Sequence, residues 1–266
     1  MALWFKRYVG QNGEEVRIDI LTLFPGMFRG PFDESIIKRA VVAGVVSIHV
    51  HDIRQWAKGR HKVADDYPYG GGPGMVLKPE PVFAATETVL DLAPERGPVV
   101  LLTPSGRRLD HALILDLARE QRLLLICGHY EGVDARIHER LATHEISIGD
   151  YVLSGGELPA MVLVDAVTRH IPGALGSPES AADESFADGL LEAPPYTRPP
   201  EFRGWSVPEV LLSGNHQEVA RWRRWRNLLW TAQRRPDLLA AALLTDEDRE
   251  WLARNGLAPS ADGGID

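Results

Sequence analysis

The chain has 266 residues, 44% of them apolar, a formal net charge of −8 and one cysteine. This suits one large or two smaller soluble globular domains, and no apolar run reaches the ~18 residues that suggest a membrane span. The single cysteine, Cys127, excludes an internal disulfide framework and a cysteine-based zinc site, and agrees with a reducing cytoplasm.

Met1 to Glu15 carries aromatics and mixed charge but no apolar core of a signal peptide. Arg17 to Leu23 reads as a strand, Phe32 to Val42 as an amphipathic helix opened by Asp33 and Glu34, and Val45 to Val50 as a second strand. A long polar, glycine-rich segment follows from Asp52 to Lys78, and loops of that length are usually functional or disordered. Pro81 to Leu90 reads as a helix. Val99 to Leu102 begins a β-branched strand that should end in the turn Thr103-Pro104-Ser105-Gly106, before a helix over Leu109 to Leu117. Leu123 to Cys127 is a buried strand ending in Gly128-His129-Tyr130-Glu131-Gly132, and Cys127 at its end should pack inside. Ser147 to Leu153 is an apolar run, closed by the turn Gly155-Gly156. Glu157 then starts a helix with Pro159 in its first turn that runs to His170.

The βαβ rhythm indicates an α/β domain with a mostly parallel sheet. Three strands that each stop in a glycine-containing loop suggest a site at the carboxyl ends of that sheet. Paired glycines let a backbone bend sharply and approach a ligand closely. The character changes after Ile171-Pro172-Gly173. Gly176 to Asp183 is small, polar and acidic and reads as a linker, and beyond Pro200 helical spacing replaces strands. Val219, Trp222, Trp225 and Leu229 share one helix face, while Arg221 and Arg224 turn away from it. This predicts a smaller, all-helical domain with the tryptophans in its core. Asn215 to Arg235 holds six arginines against one acid, Glu218, so a basic patch can exist on an acidic protein.

Gly70-Gly71-Gly72-Pro73-Gly74 satisfies a GxGxG pattern, but no apolar strand precedes it as a dinucleotide fingerprint requires. It lacks the Gly-Lys-Ser/Thr ending of a phosphate loop, which disfavours phosphate transfer. It is either a mobile surface loop or a flexible clamp on a ligand.

Five segments share an order found together in one family. They are RIDILTLFPGMF (Arg17 to Phe28), PYGGGPGM (Pro68 to Met75), GHYEGVDARI (Gly128 to Ile137), SIGDYVLSGGELPAM (Ser147 to Met161) and SFADGLLEAPPYTRP (Ser185 to Pro199). The chain resembles the bacterial tRNA (guanine-N1-)-methyltransferases, the TrmD family of the SPOUT class, from about Arg17 to Asn255. The resemblance implies residues 1–16 as an N-terminal extension and 17–174 as an α/β cofactor-binding domain with a deep C-terminal trefoil knot. Residues 175–185 would be a flexible linker, 186–258 a helical tRNA-binding domain and 259–266 a tail. Periodicity reveals no knot, and base rates run against one.

The resemblance also implies the cofactor, S-adenosylmethionine, and its walls. Leu102, Thr103, Pro104 and Gly106 form the first, and Gly128, Tyr130 and Glu131 the second, with the Glu131 carboxylate placed for a ribose or methionine group. Ile148, Gly149, Tyr151, Leu153, Gly155, Gly156 and Pro159 form the third. Methylating guanine N1 requires a base to take its proton and a cationic partner for the charge developing on O6. The family match puts these roles on Glu184 and Arg169. The family more often has Asp where Glu184 stands, so Asp183 is the alternative base. Asp65, Ser185, Arg198, Arg221 and Arg224 are the implied RNA contacts, and the glycine-rich segment becomes a clamp near the target base. The implied partners are a tRNA with guanosines at positions 36 and 37, methylated at 37, and a second copy of the chain completing each site in a homodimer. The nine histidines show no ligand spacing, so no structural metal is expected. Family members can depend on Mg²⁺, although no residue here reports it. Two rival readings share the sequence: a ribose 2′-O-methyltransferase, which needs no carboxylate base, and a non-catalytic RNA-binding module with a vestigial pocket.

Overall fold

The computed structural model describes residues 15–175 and 184–257, and the chain divides into two units, residues 1–178 and 179–266. The first unit runs β1 (Val16–Thr22), α1 (Ser35–Val42), β2 (Val46–Asp52), a short hairpin of β3 (Asp65–Asp66) and β4 (Val76–Leu77), then α2 (Pro79–Leu90). It continues through β5 (Val99–Arg108), α3 (His111–Leu117), β6 (Arg122–Cys127), α4 (Ala135–Arg140), β7 (His144–Ser147) and α5 (Glu157–Thr168). Five strands form one sheet in the order β2-β1-β6-β5-β7, and every pairing in it is parallel. Parallel strands covered on both faces need apolar side chains on both, which is why β6 is an unbroken apolar run after its first residue.

Alternation along the strands sorts the core into two layers. Ile18, Ile20, Val100, Leu102, Leu123, Leu125 and Cys127 face α1, α3 and α5, which contribute Ile37, Leu113, Leu163, Val164 and Val167. Leu21, Val99, Leu101, Leu124 and Ile126 face the other way, onto Val82, Ala85 and Val89 of α2 and Ile137 of α4. Asp19 interrupts the apolar pattern of β1. Its buried carboxylate accepts hydrogen bonds from Arg17 (2.8 Å), Arg122 (2.9 Å) and His51 (2.8 Å).

Several sequence expectations need correction. The glycine-rich segment is not structureless: it holds a 3₁₀ turn over Ile53–Trp56 and the β3–β4 hairpin. β5 does not end at its Pro/Gly turn. It runs on to Arg108 through an irregularity that brings both Leu102 and Arg107 opposite Ile146. β7 stops at Ser147, so Ile148 to Leu153 is loop rather than strand.

The second unit is not all-helical. A two-stranded turn of β8 (Glu201–Phe202) and β9 (Trp205–Ser206) precedes α6 (Glu209–Leu212), α7 (His216–Arg234), α8 (Pro236–Ala241) and α9 (Asp246–Arg254). Its core is Leu190, Leu228, Leu239 and Leu252, with Trp225 stacked on Trp251 at 5.8 Å beside it. Asn215 caps α7, and Thr245 with Asp248 forms a capping box on α9. Trp222 does not join this core. It stands near Tyr196 on a cavity instead. Arg224 likewise does not simply turn away: it is half-buried, donates to Asp248 (2.9 Å) and pairs with Asp188.

Candidate functional site

The loops following β6 and β7, and the irregular stretch of β5, enclose a cavity of about 310 Å³ in the first unit. That volume lies at the lower end of the range for small-molecule sites. The β5 wall presents Leu102, Thr103 and Pro104. Proline has no N–H to give a ladder, so residues 103–106 leave the pairing while the strand resumes at Arg107. Gly106 does not line the cavity. A Cβ on it would lie 2.4 Å from the Ile146 backbone N, so its role is close packing of β5 on β7.

The β6 wall presents Gly128, Tyr130 and Glu131, and the third wall Ile148, Gly149, Tyr151, Leu153, Gly155, Gly156 and Pro159. The two walls are tied by the Gly156 N–H donating to Gly128 O at 2.8 Å and by a bridge between His129 and Gly155. Gly156 meets Cys127 so closely that an added Cβ would stand 2.7 Å from the Cys127 Cα. Only glycine lets the start of α5 reach the end of β6. Leu102, Ile148, Leu153 and Pro159 give apolar surface and the glycine loops give backbone groups, a lining suited to a flat ring held at its edges.

Sequence reasoning missed His129 as a lining residue and the cluster beneath it. Glu157, read as an ordinary acidic helix start, is 1% exposed and accepts a hydrogen bond from Thr22 Oγ1 at 2.7 Å. Its other oxygen lies 3.6 Å from His129 Nδ1, and that nitrogen is buried without a hydrogen-bond partner. The His129 ring is flanked by Phe24 and Tyr130, at 4.5 and 4.8 Å between centroids. The histidine stood inside the quoted motif, but Thr22 lies 135 residues from Glu157 and no local pattern links them. Cys127 is fully buried, and burial, with the Glu157 charge adding to it, pushes its thiol well above the usual range. It packs and does not react.

Arg169 occupies the C-terminal cap of α5 and is half-buried. Glu184 belongs to the second unit, where it lines a cavity of about 1070 Å³ with Arg198, Trp222, Arg223, Arg226 and Asn227. Asp183, the alternative base, lies outside the described residues. Ser185 Oγ accepts from the Glu192 N–H at 2.9 Å, so this hydroxyl helps to fix the chain beside Glu184. Arg221 is exposed, with its guanidinium 5.1 Å from the Trp225 ring centroid. Asp65 sits in β3 opposite Leu77. Among the described residues no group of three or more His, Cys, Asp or Glu side chains could hold a metal ion, and no helix is long and apolar enough to cross a membrane.

A parallel α/β sheet with a ring-sized cavity at the carboxyl ends of its strands defines a ligand-binding domain of the α/β class. Comparison with known proteins narrows this. The profile of the family described as tRNA (Guanine-1)-methyltransferase TrmD matches residues 16–241. A protein named tRNA (guanine-N(1)-)-methyltransferase from Geotalea uraniireducens is 57% identical over 248 residues, covering 93% of this chain and all of its own. Relatives with the same name from Moorella thermoacetica and Geobacillus kaustophilus are each 56% identical, covering 89% of this chain and 95% and 97% of theirs. The chain therefore belongs to the TrmD family, a family of methyltransferases.

Proposed function

We propose that this protein methylates N1 of guanosine 37 in tRNA, next to guanosine 36, using S-adenosylmethionine held in the 310 Å³ cavity. The observation that carries the reading is the convergence of three strand-end loops on one cavity in a chain of the TrmD family. The residues fit the cofactor. Leu102, Ile148, Leu153 and Pro159 supply faces for an adenine ring, backbone groups around Gly155 and Gly156 its edge, and Glu131 a carboxylate for a polar end. When bound, the cofactor supplies an electrophilic methyl group on a sulfonium, which departs as a neutral thioether.

The chain's own residues do the rest. Glu184 accepts the N1 proton as the new N–C bond forms, and Arg169 balances the negative charge gathering on O6. The target base leaves its stack to react, which is easier in an anticodon loop than in a duplex. RNA contacts fall to Arg221 and Arg223 on α7 and to Arg198 and Ser185 near Glu184, with Asp65 near the target base. Arg224 is committed to Asp248 and Asp188 and serves the second unit's own structure. The reading includes a trefoil knot in the C-terminal half of the first unit, a linker over 175–185 and a tRNA-binding domain over 186–258. It also includes a homodimer with two composite sites. Exposed apolar side chains support the dimer: Leu158 and Val162 stand one turn apart on α5 and are each nearly half exposed.

The test is transfer of labelled methyl from S-adenosylmethionine to an unmodified tRNA carrying guanosines 36 and 37, beside the same tRNA with adenosine at 37. Label is expected only in the first, recovered as N1-methylguanosine. Glu184→Gln should lower kcat by about 10²–10⁴-fold, the usual contribution of a general base. Ribose methylation would survive that change, and label found on a ribose would overturn the assignment.

A further inference from the structure

The glycine-rich segment is tied to the second cavity wall. The Glu131 N–H donates to Met75 O, the Leu77 N–H to Gly132 O and the Asp134 N–H to Leu77 O, each at 3.0 Å. Leu77 is fully buried and bridges Val133 in parallel. The stretch from Met75 to Leu77 thus acts as a strand laid along the loop that carries Glu131. Gly70, Gly71, Gly72 and Gly74 all have positive φ, but their surroundings differ sharply. Around Gly70 and Gly71 a Cβ would meet nothing within 4 Å, and at Gly72 only Pro68 Cγ at 3.9 Å. At Gly74 it would lie 2.4 Å from Glu131 Cγ, 2.5 Å from Oε1 and 2.8 Å from Cδ.

Three contacts, beginning at Cγ, mean that the whole Glu131 side chain lies across the face of Gly74. A side chain there could not be cleared by turning the carboxylate alone. Glu131 would have to change its first side-chain rotamer, which carries the carboxylate away from its present place in the wall. We infer that Gly74 is a positioning residue: its bare face seats the Glu131 carboxylate in the cofactor cavity, and so couples the glycine-rich segment to cofactor affinity. The inference rests on the reading of that cavity as the S-adenosylmethionine site. Coupling of this kind is reciprocal, so a ligand that shifts the segment alters cofactor affinity and the cofactor steadies the segment.

Gly71 provides a matched control. Its φ of +80° is close to the +82° of Gly74, so alanine at either position carries similar backbone strain, but only at Gly74 does it strike Glu131. The experiment is calorimetric binding of S-adenosylmethionine, without RNA, to the full chain and to Gly71→Ala, Gly74→Ala, Glu131→Ala and the Gly74→Ala/Glu131→Ala double variant. Gly74→Ala should weaken binding by about tenfold, and Gly71→Ala by less than about twofold. The double variant should bind no more weakly than Glu131→Ala, because the clash has been removed. Equal losses at Gly71 and Gly74, or a double variant whose loss is the product of the two single losses, would overturn the contact. In the unsubstituted chain, cofactor should also slow hydrogen exchange at the amides of residues 75–77, and unchanged exchange counts against the coupling. Absence of binding by the unsubstituted chain would remove the cofactor reading and this inference together; normal binding with an indifferent Gly74→Ala removes only the inference.

Discussion

Asp19 places a charge at the centre of a parallel sheet, where burial alone would raise its pKa. Hydrogen bonds from His51, Arg17 and Arg122 outweigh burial and hold the carboxyl well below its ordinary range. Arg122 is itself fully buried and donates further to the carbonyls of Leu90, Ala93 and Glu95, so β1, β6 and the end of α2 meet at this group. A folded-state pKa below the unfolded one means the carboxylate contributes stability above about pH 4. That stability is lost as pH falls through the folded value. Asp19→Asn leaves Arg122 buried without its counter-charge and is expected to cost about 3–5 kcal/mol near pH 7. Urea unfolding should also show a shallower loss of stability in acid for the variant than for the parent. Equal acid slopes would remove Asp19 as a source of the pH dependence.

Among the elements, β5 shows how sequence and structure part company. Val99 to Leu102 is legible as a strand because its apolar run is continuous and β-branched. The continuation to Arg108 is not, since Pro104 and Gly106 are ordinary stop signals and only pairing with the distant β7 restores the ladder. The same limit hid the β3–β4 hairpin, whose strands have two residues each, and the partner of Arg224, which lies 24 residues away at Asp248. Helical spacing placed Trp222 and Trp225 on one face, but spacing cannot say that one meets Trp251 and the other a cavity. The location of the cavity was legible, because three strands each end in a glycine-containing loop, while its individual lining residues came from the family resemblance. Gly106 was legible as important but for a different reason, since it packs β5 on β7. Gly106→Ala drives a methyl into the backbone of Glu145 and Ile146, which cannot turn aside as a flexible side chain would. It should cost about 1–3 kcal/mol in chemical unfolding and widen the cavity wall at Thr103 and Pro104. A variant as stable as the parent would show that the β5 irregularity absorbs the methyl.

At the scale of the whole molecule, net charge misleads. The chain carries −8 overall, while α7 presents Arg221 and Arg223 to solvent with Glu218 as its one acid. The groups assigned to one reaction are likewise divided, with the cofactor cavity and Arg169 in the first unit and Glu184 in the second. A homodimer resolves this if each site takes its cavity from one subunit and its base from the other, and twofold symmetry then gives two such sites. Mixed dimers test that arrangement. Arg169→Ala and Glu184→Gln, each expected to be nearly inactive alone, are co-expressed under different affinity tags and the doubly tagged dimer is isolated. In a composite arrangement one of its sites combines an intact first unit with an intact Glu184, and the other holds both lesions. The isolated mixed dimer should therefore recover about half of the parent's methyl transfer, and the unfractionated equal mixture about a quarter. If each site were built within a single subunit, every site would carry one lesion and the mixture would stay as inactive as its components. Recovery in the mixed dimer, with none on mixing the separately purified variants for times too short for exchange, would tie activity to the shared interface.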